Sequence, residues 1–278
     1  MAVLDLHRSP GIFPFALREE LHRRQPVLAA AAEVFLLVAL PCVMAMVLDP
    51  RELNGVSVWL KPAKFAVSFF LYYATLAWAF GYLPASAAAS RSGRLVVNVA
   101  LVAGSYELLW IIAASSLGVP SHFNRSGVAW TVAYAVAGVG AMSLMIAVLV
   151  QGVMLARDRS HAMPEAFRLS WVLGACLAFV GTVISAGFLS QHAGHWVGGI
   201  ASDAGGVPLF HWSRTGGDLR VPHFWALHAQ QILPLAGVFI LQVRGAPHRS
   251  LVIAAAVVYA GFVAFTFVQA LQGRAFLG

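Results

Sequence analysis

The 278-residue chain is 60% hydrophobic and only 10% charged, with a mean hydropathy of +0.78. Soluble domains average about 25% charged residues, so the composition excludes an ordinary soluble protein and places the chain in lipid. The formal charge of +7 is spread over short loops, which reads as a topology signal and not as a nucleic-acid face.

Residues 1–26 are too charged for a cleavable signal peptide and lack an apolar stretch before a small-residue cleavage site. Within them, FPFALREELHRR is patterned as a short amphipathic helix anchored on the membrane surface. Residues 27–278 then form the membrane domain. A hydrocarbon core of roughly 30 Å requires about 20 apolar residues per helix, and the first such run covers 27–48. It holds Glu33, which reads as an isolated interfacial acid, and Cys42. The second span, 57–83, opens with WLKPAKF. Pro62 fits a first helical turn, while Lys61 and Lys64 either snorkel to headgroups or pair with an acid. That acid is Glu107, buried in SYELLW of the third span, 95–117. An ionisable residue within a span is a functional candidate.

The segment GVPSHFNRSG closes the third span and brings His122 and Asn124; the fourth span covers 128–155. The fifth, 167–190, contains Cys176, expected like Cys42 to be a small buried residue and not half of a disulfide. It ends in QHAGH, where His192 and His195 share a helix face only if the helix continues past Gln191. The connection at about 191–221 is the single long one. Long loops without their own secondary structure are mostly functional or disordered. This one is rich in glycine and aromatic residues, the composition of a folded cap. It carries Asp203, Arg214, Asp218 and Arg220; Asp218 either orients a histidine or ligates a metal, or the charges form Asp218–Arg220 or Asp203–Arg214 surface pairs.

The sixth span, 222–243, begins PHFWALHAQQILP. At roughly 100° per residue, His223 and His228 lie about 140° apart, with His228 about 7.5 Å deeper, so they are not an i, i+4 metal pair. With Gln230 and Gln231 they form a polar arc that must face protein or a cavity. The seventh span, 250–271, has no lysine, which excludes a retinal Schiff base there.

Basic residues precede span 1 (Arg18, Arg23, Arg24) and recur between spans 2 and 3, 4 and 5, and 6 and 7. With seven crossings these segments share one side, expected to be cytoplasmic. The N-terminus is then inside, the C-terminus outside, and the 191–221 loop outside. The expected fold is therefore an all-α seven-helix integral membrane protein with an extracytoplasmic cap.

The segments WLKPAKFAVS, SHFN, GHWVGG and WSRTGGDLRVPHFWALHAQQILP resemble signatures of an uncharacterised family of multi-span bacterial membrane proteins. The likeness runs from about residue 30 onward and implies the bacterial cytoplasmic membrane, but no activity. The layout also looks like the ceramidase and adiponectin-receptor type of seven-helix zinc hydrolase. It departs from that type because its paired histidines are five apart, sit in span 6, and have no counterpart in span 2.

The leading expectation is a transition-metal site (zinc, iron or copper) built from His122, His195, His223 and His228. Asp218 and Glu107 would be its catalytic carboxyls, acting on a lipid-like or small hydrophobic substrate. Lys61, Lys64 and Arg220 would bind the anionic part of a cofactor or substrate. Three alternatives stay open: a b-type haem redox protein, a proton-coupled carrier using Glu107, Lys61 or Lys64 and His228, and a structural subunit of an oligomer or larger membrane complex. No nucleic-acid partner is expected.

Overall fold

The computed structural model describes residues 13–158, 163–244 and 248–278. His7, Arg159 and His161, along with most of the first half of the N-terminal segment, lie outside them. In chain order the elements are α1 (Phe13–Arg24), α2 (Pro26–Leu48), β1 (Glu52–Leu53), β2 (Val56–Ser57), α3 (Leu60–Phe80), α4 (Ala85–Ala88), α5 (Arg91–Ser116), α6 (Val128–Arg157), α7 (Glu165–Gln191), β3 (Trp196–Val197), β4 (Gly217–Asp218), α8 (Arg220–Arg244) and α9 (Arg249–Leu271). Among the described residues seven helices (α2, α3, α5, α6, α7, α8 and α9) are long and apolar enough to cross a membrane. They coincide with the seven expected spans to within a few residues at each end.

Burial explains why such apolar helices need lipid. Their outward faces carry bare side chains such as Val47 and Leu40, which a soluble monomer would not leave in water. Helices without a hydrophobic drive between them associate through small residues and close backbone approach. The most extensive pair, α7 with α8, does this. A Cβ on Gly174 would lie 2.8 Å from the Ala229 carbonyl oxygen, and one on Gly181 2.8 Å from Ala226 Cβ. The aromatic core sits elsewhere, where Phe35, Phe69 and Tyr73 pack between α2 and α3.

Several local expectations change. α1 is not a free surface anchor. Arg24 lies over the rings of Trp78 and Tyr82 and donates to the Trp78 carbonyl at 2.9 Å, which pins α1 to the end of α3. Glu33 is not isolated, because Arg18 and His22 reach it at 2.9 and 2.7 Å. Cys42 is buried but Cys176 is exposed, and both are free thiols.

The ends of the helices opposite α1 are tied together by non-helical segments. The β1–β2 hairpin meets the 192–219 loop where Asp203 N–H donates to the Asn54 carbonyl at 2.8 Å. Within that loop β3 pairs antiparallel with β4. The pairing sets Gly217 so tightly against the end of α9 that a Cβ there would run into the Ala270 carbonyl. The expected cap is thus an ordered element, held on both flanks.

Candidate functional site

Two polar clusters sit at the capped end. The first is built by α3, α5 and the 117–127 loop. Trp110 Nε1–H donates to the Ser121 carbonyl at 2.8 Å, fixing the loop over the end of α5. Phe123 adopts a left-handed φ of 62°, and the turn aims His122 inward between Phe65 and Tyr134. Lys61 Nζ donates to Ser121 Oγ at 2.7 Å and to His122 Nδ1 at 2.9 Å. On its other side, His122 Nε2 lies 3.1 Å from Glu107 Oε1. With Lys61 as the donor to Nδ1, the imidazole carries its proton on Nε2 and donates it to Glu107. Burial, followed by the Lys61 charge, holds the His122 imidazole below its ordinary value, which keeps it neutral and able to donate and accept at once. Glu107 is 2% exposed, and its Oε2 has no hydrogen-bond partner among the described residues.

The expected pairing of Glu107 with Lys61 therefore runs through an imidazole, and Lys61 does not snorkel. Lys64 takes no part; its Nζ donates to the Phe210 carbonyl at 3.1 Å.

The second cluster holds the cap down. Arg220 Nη2 donates to Asp203 Oδ1, Asp218 Oδ2 and the His211 carbonyl at 2.7, 2.7 and 2.6 Å. Asp218 is saturated, since it also accepts from Ser213 N–H and Arg220 N–H at 3.0 Å each. It is placed neither beside a histidine as its orienting acid nor free to bind a metal. The partner of Asp203 is Arg220, not Arg214. His195 donates from Nε2 to Asp203 Oδ1 at 3.0 Å. Burial favours the neutral acid at Asp203, but the His195 hydrogen bond and the Arg220 charge outweigh it and keep this carboxyl below its usual range. Burial likewise depresses His195. α7 stops at Gln191 and His192 turns extended as its C-cap, so His192 and His195 do not share a helix face. His192 instead caps the Phe188 carbonyl at 2.8 Å.

These depressed values predict a pH response. His195 and Asp203 both bind fewer protons folded than unfolded, so their contribution to stability is present at neutral pH. The His195 part is lost as pH falls from about 6.5, the ordinary histidine value, and the Asp203 part only below the ordinary carboxylate range. Hydrogen-exchange protection across 196–219, taken relative to the intrinsic exchange rate at each pH, is expected to fall on acidification while protection in α5 holds. A cap whose exchange protection is flat through that range would contradict this.

The remaining expected ligands lie deeper on α8. His223 Nδ1 is 3.1 Å from Ser185 Oγ of α7, a partner that no sequence pattern singles out. His228 packs on Phe224 with ring centroids 4.2 Å apart and faces a cavity of about 580 Å³. His122, His195, His223 and His228 thus each have separate engagements. Among the described residues no group of three or more His, Cys, Asp or Glu side chains is placed to hold a metal ion.

Fold and site together define an all-helical protein with seven membrane-spanning candidates and a buried Lys–His–Glu series beneath a clamped cap. Compared with protein-family models, with curated proteins and with solved structures, the chain matches none.

Proposed function

We propose that this is a proton-conducting protein of the bacterial cytoplasmic membrane, with Lys61, His122 and Glu107 as its proton relay at the extracytoplasmic end. The observation that carries this reading is the pair of contacts on opposite nitrogens of one buried imidazole: 2.9 Å from Lys61 and 3.1 Å to Glu107. An ammonium proton passing to Nδ1 releases the Nε2 proton to Glu107. The products are a lysine amine, the other imidazole tautomer and a protonated carboxyl, so the step carries a proton inward without building net charge. The metal and haem readings have no contact of this kind behind them.

A second polar feature lies further along the bundle, toward the α1 end. There Thr75, Gln151, Trp171 and Gln230 line a cavity of about 10 Å³, close to the size of one water. Gln230 Oε1 and Trp171 Nε1 are buried with no hydrogen-bond partner among the described residues. Gln231 Nε2 donates to Thr75 Oγ1 at 3.3 Å. Buried polar groups are costly unless satisfied, and a line of them inside a span is what a proton path requires.

The test is proton flux into proteoliposomes carrying an entrapped pH dye, with a potassium-clamped membrane potential. The purified chain is expected to admit protons well above empty liposomes. Glu107→Gln and His122→Phe should each reduce the rate by about 10²-fold, the low end for loss of a positioned acid–base group. Flux from the unmodified chain equal to that of empty liposomes would overturn the reading.

A further inference from the structure

The 580 Å³ cavity lies between the cap, α8, α3 and the C-terminal tail, and it is not part of the relay. Its walls are mostly carbon: Phe210, Trp212, Phe224, Trp225 and Phe276 surround it, and His228 is the ionisable side chain among its lining residues. Phe210 and Trp212 stack face to face, with centroids 4.3 Å apart and planes 18° apart. Phe224 meets both rings edge-on. Phe276 closes the far side against Trp212. Leu71 and Leu277, at the rim, are 42% and 53% exposed on the apolar surface of the bundle.

We infer that this cavity binds a lipid-soluble quinone, its planar ring against the Phe210–Trp212 pair and one carbonyl at His228. The size falls within the range of about 300–1,000 Å³ typical of small-molecule sites. A charged ligand finds no counter-charge among the lining residues, which argues for a neutral one. A lining of stacked and edge-on aromatic rings favours a ring over a flexible chain, because aromatic groups pair with one another in these geometries. The single imidazole supplies the one hydrogen bond that a quinone carbonyl requires. The exposed leucine rim lets such a ligand arrive sideways from the bilayer.

Binding is tested on the purified full chain with decyl-benzoquinone as the probe, read as quenching of tryptophan emission, with no pH gradient applied. Saturable quenching is expected. Ile232→Phe, which adds bulk to the lining one helical turn from His228, should raise the probe concentration needed for half-saturation. His228→Leu should weaken binding by about 10-fold, the loss of one hydrogen bond, and His228→Gln should restore most of it. Melting temperature measured alongside separates loss of binding from loss of fold; if His228→Leu unfolds, the Gln and Phe variants still decide the matter. Quenching that rises linearly without saturation would overturn the inference. Displacement of the probe by palmitate as effectively as by a second quinone would also overturn it, because that marks an acyl-chain pocket. A chain that binds the quinone but passes no protons sinks the relay and leaves the cavity standing; flux without saturable quenching does the reverse.

Discussion

Arg220→Ala is expected to destabilise the protein by about 3–5 kcal/mol, the usual cost of removing one partner from a buried charge cluster. The cause lies in what remains. Asp218 and Asp203 have side chains only 1% and 9% exposed, and both lose the guanidinium that brackets them. The His211 carbonyl loses its 2.6 Å donor at the same time. Arg220→Lys should recover only part of the loss, since a compact ammonium cannot span two carboxylates and a carbonyl as a planar fork does. The effect should be concentrated in the cap. Limited proteolysis is expected to cut within 196–219 in Arg220→Ala while the spans stay intact, and thermal melting should show the loss. A variant with unchanged melting temperature and unchanged protease pattern would show that the clamp is not what holds the cap. Because cap residues Phe210 and Trp212 wall the aromatic cavity, quinone binding should fail in the same variant.

This dependence on one arginine was not visible in the sequence, and the reason is physical. The spans were legible because each is a property of its own residues: about 20 apolar side chains in a row must bury their backbone polar groups in a helix whatever surrounds them. Pro222, Pro62 and the polar arc of α8 were legible for the same reason, since 3.6-residue geometry fixes them locally. The site depends instead on which distant segments meet. Arg220 and Asp218 stand out in the sequence as charges just ahead of a span, but their joining with Asp203 in a clamp follows from the β3–β4 pairing, which turns the loop back on itself. Periodicity does not encode that pairing. Ser185 beside His223 is an ordinary serine in an apolar run, chosen only by how α7 and α8 pack. The C-terminal Phe276 carries no motif at all, yet it closes the aromatic cavity. The grouping of four histidines as one ligand set failed geometrically for the same reason: all four cluster toward one end in sequence, but each meets a different neighbour.

The relay makes the sharpest prediction about energetic coupling. Lys61→Met leaves Glu107 with only a neutral imidazole against it, and Glu107→Leu leaves the Lys61 ammonium with Ser121 and His122 alone. Each should cost about 3–5 kcal/mol as a broken buried pair. The double variant Lys61→Met/Glu107→Leu removes both charges together. Buried pairs replaced by apolar groups of similar shape are often near neutral in stability, so it should cost less than either single variant while passing no protons. The shortfall from the sum of the singles is the coupling. The imidazole gives the decisive arm. Lys61 and Glu107 each touch His122 at hydrogen-bond distance, so repeating the cycle on His122→Phe should shrink the coupling to what Coulomb attraction alone supplies. Unfolding in detergent titrations measures all of these variants on one scale. Coupling that survives intact in the phenylalanine background would mean that lysine and glutamate sense each other directly. The histidine would then be a spacer, and the relay would lose its middle member.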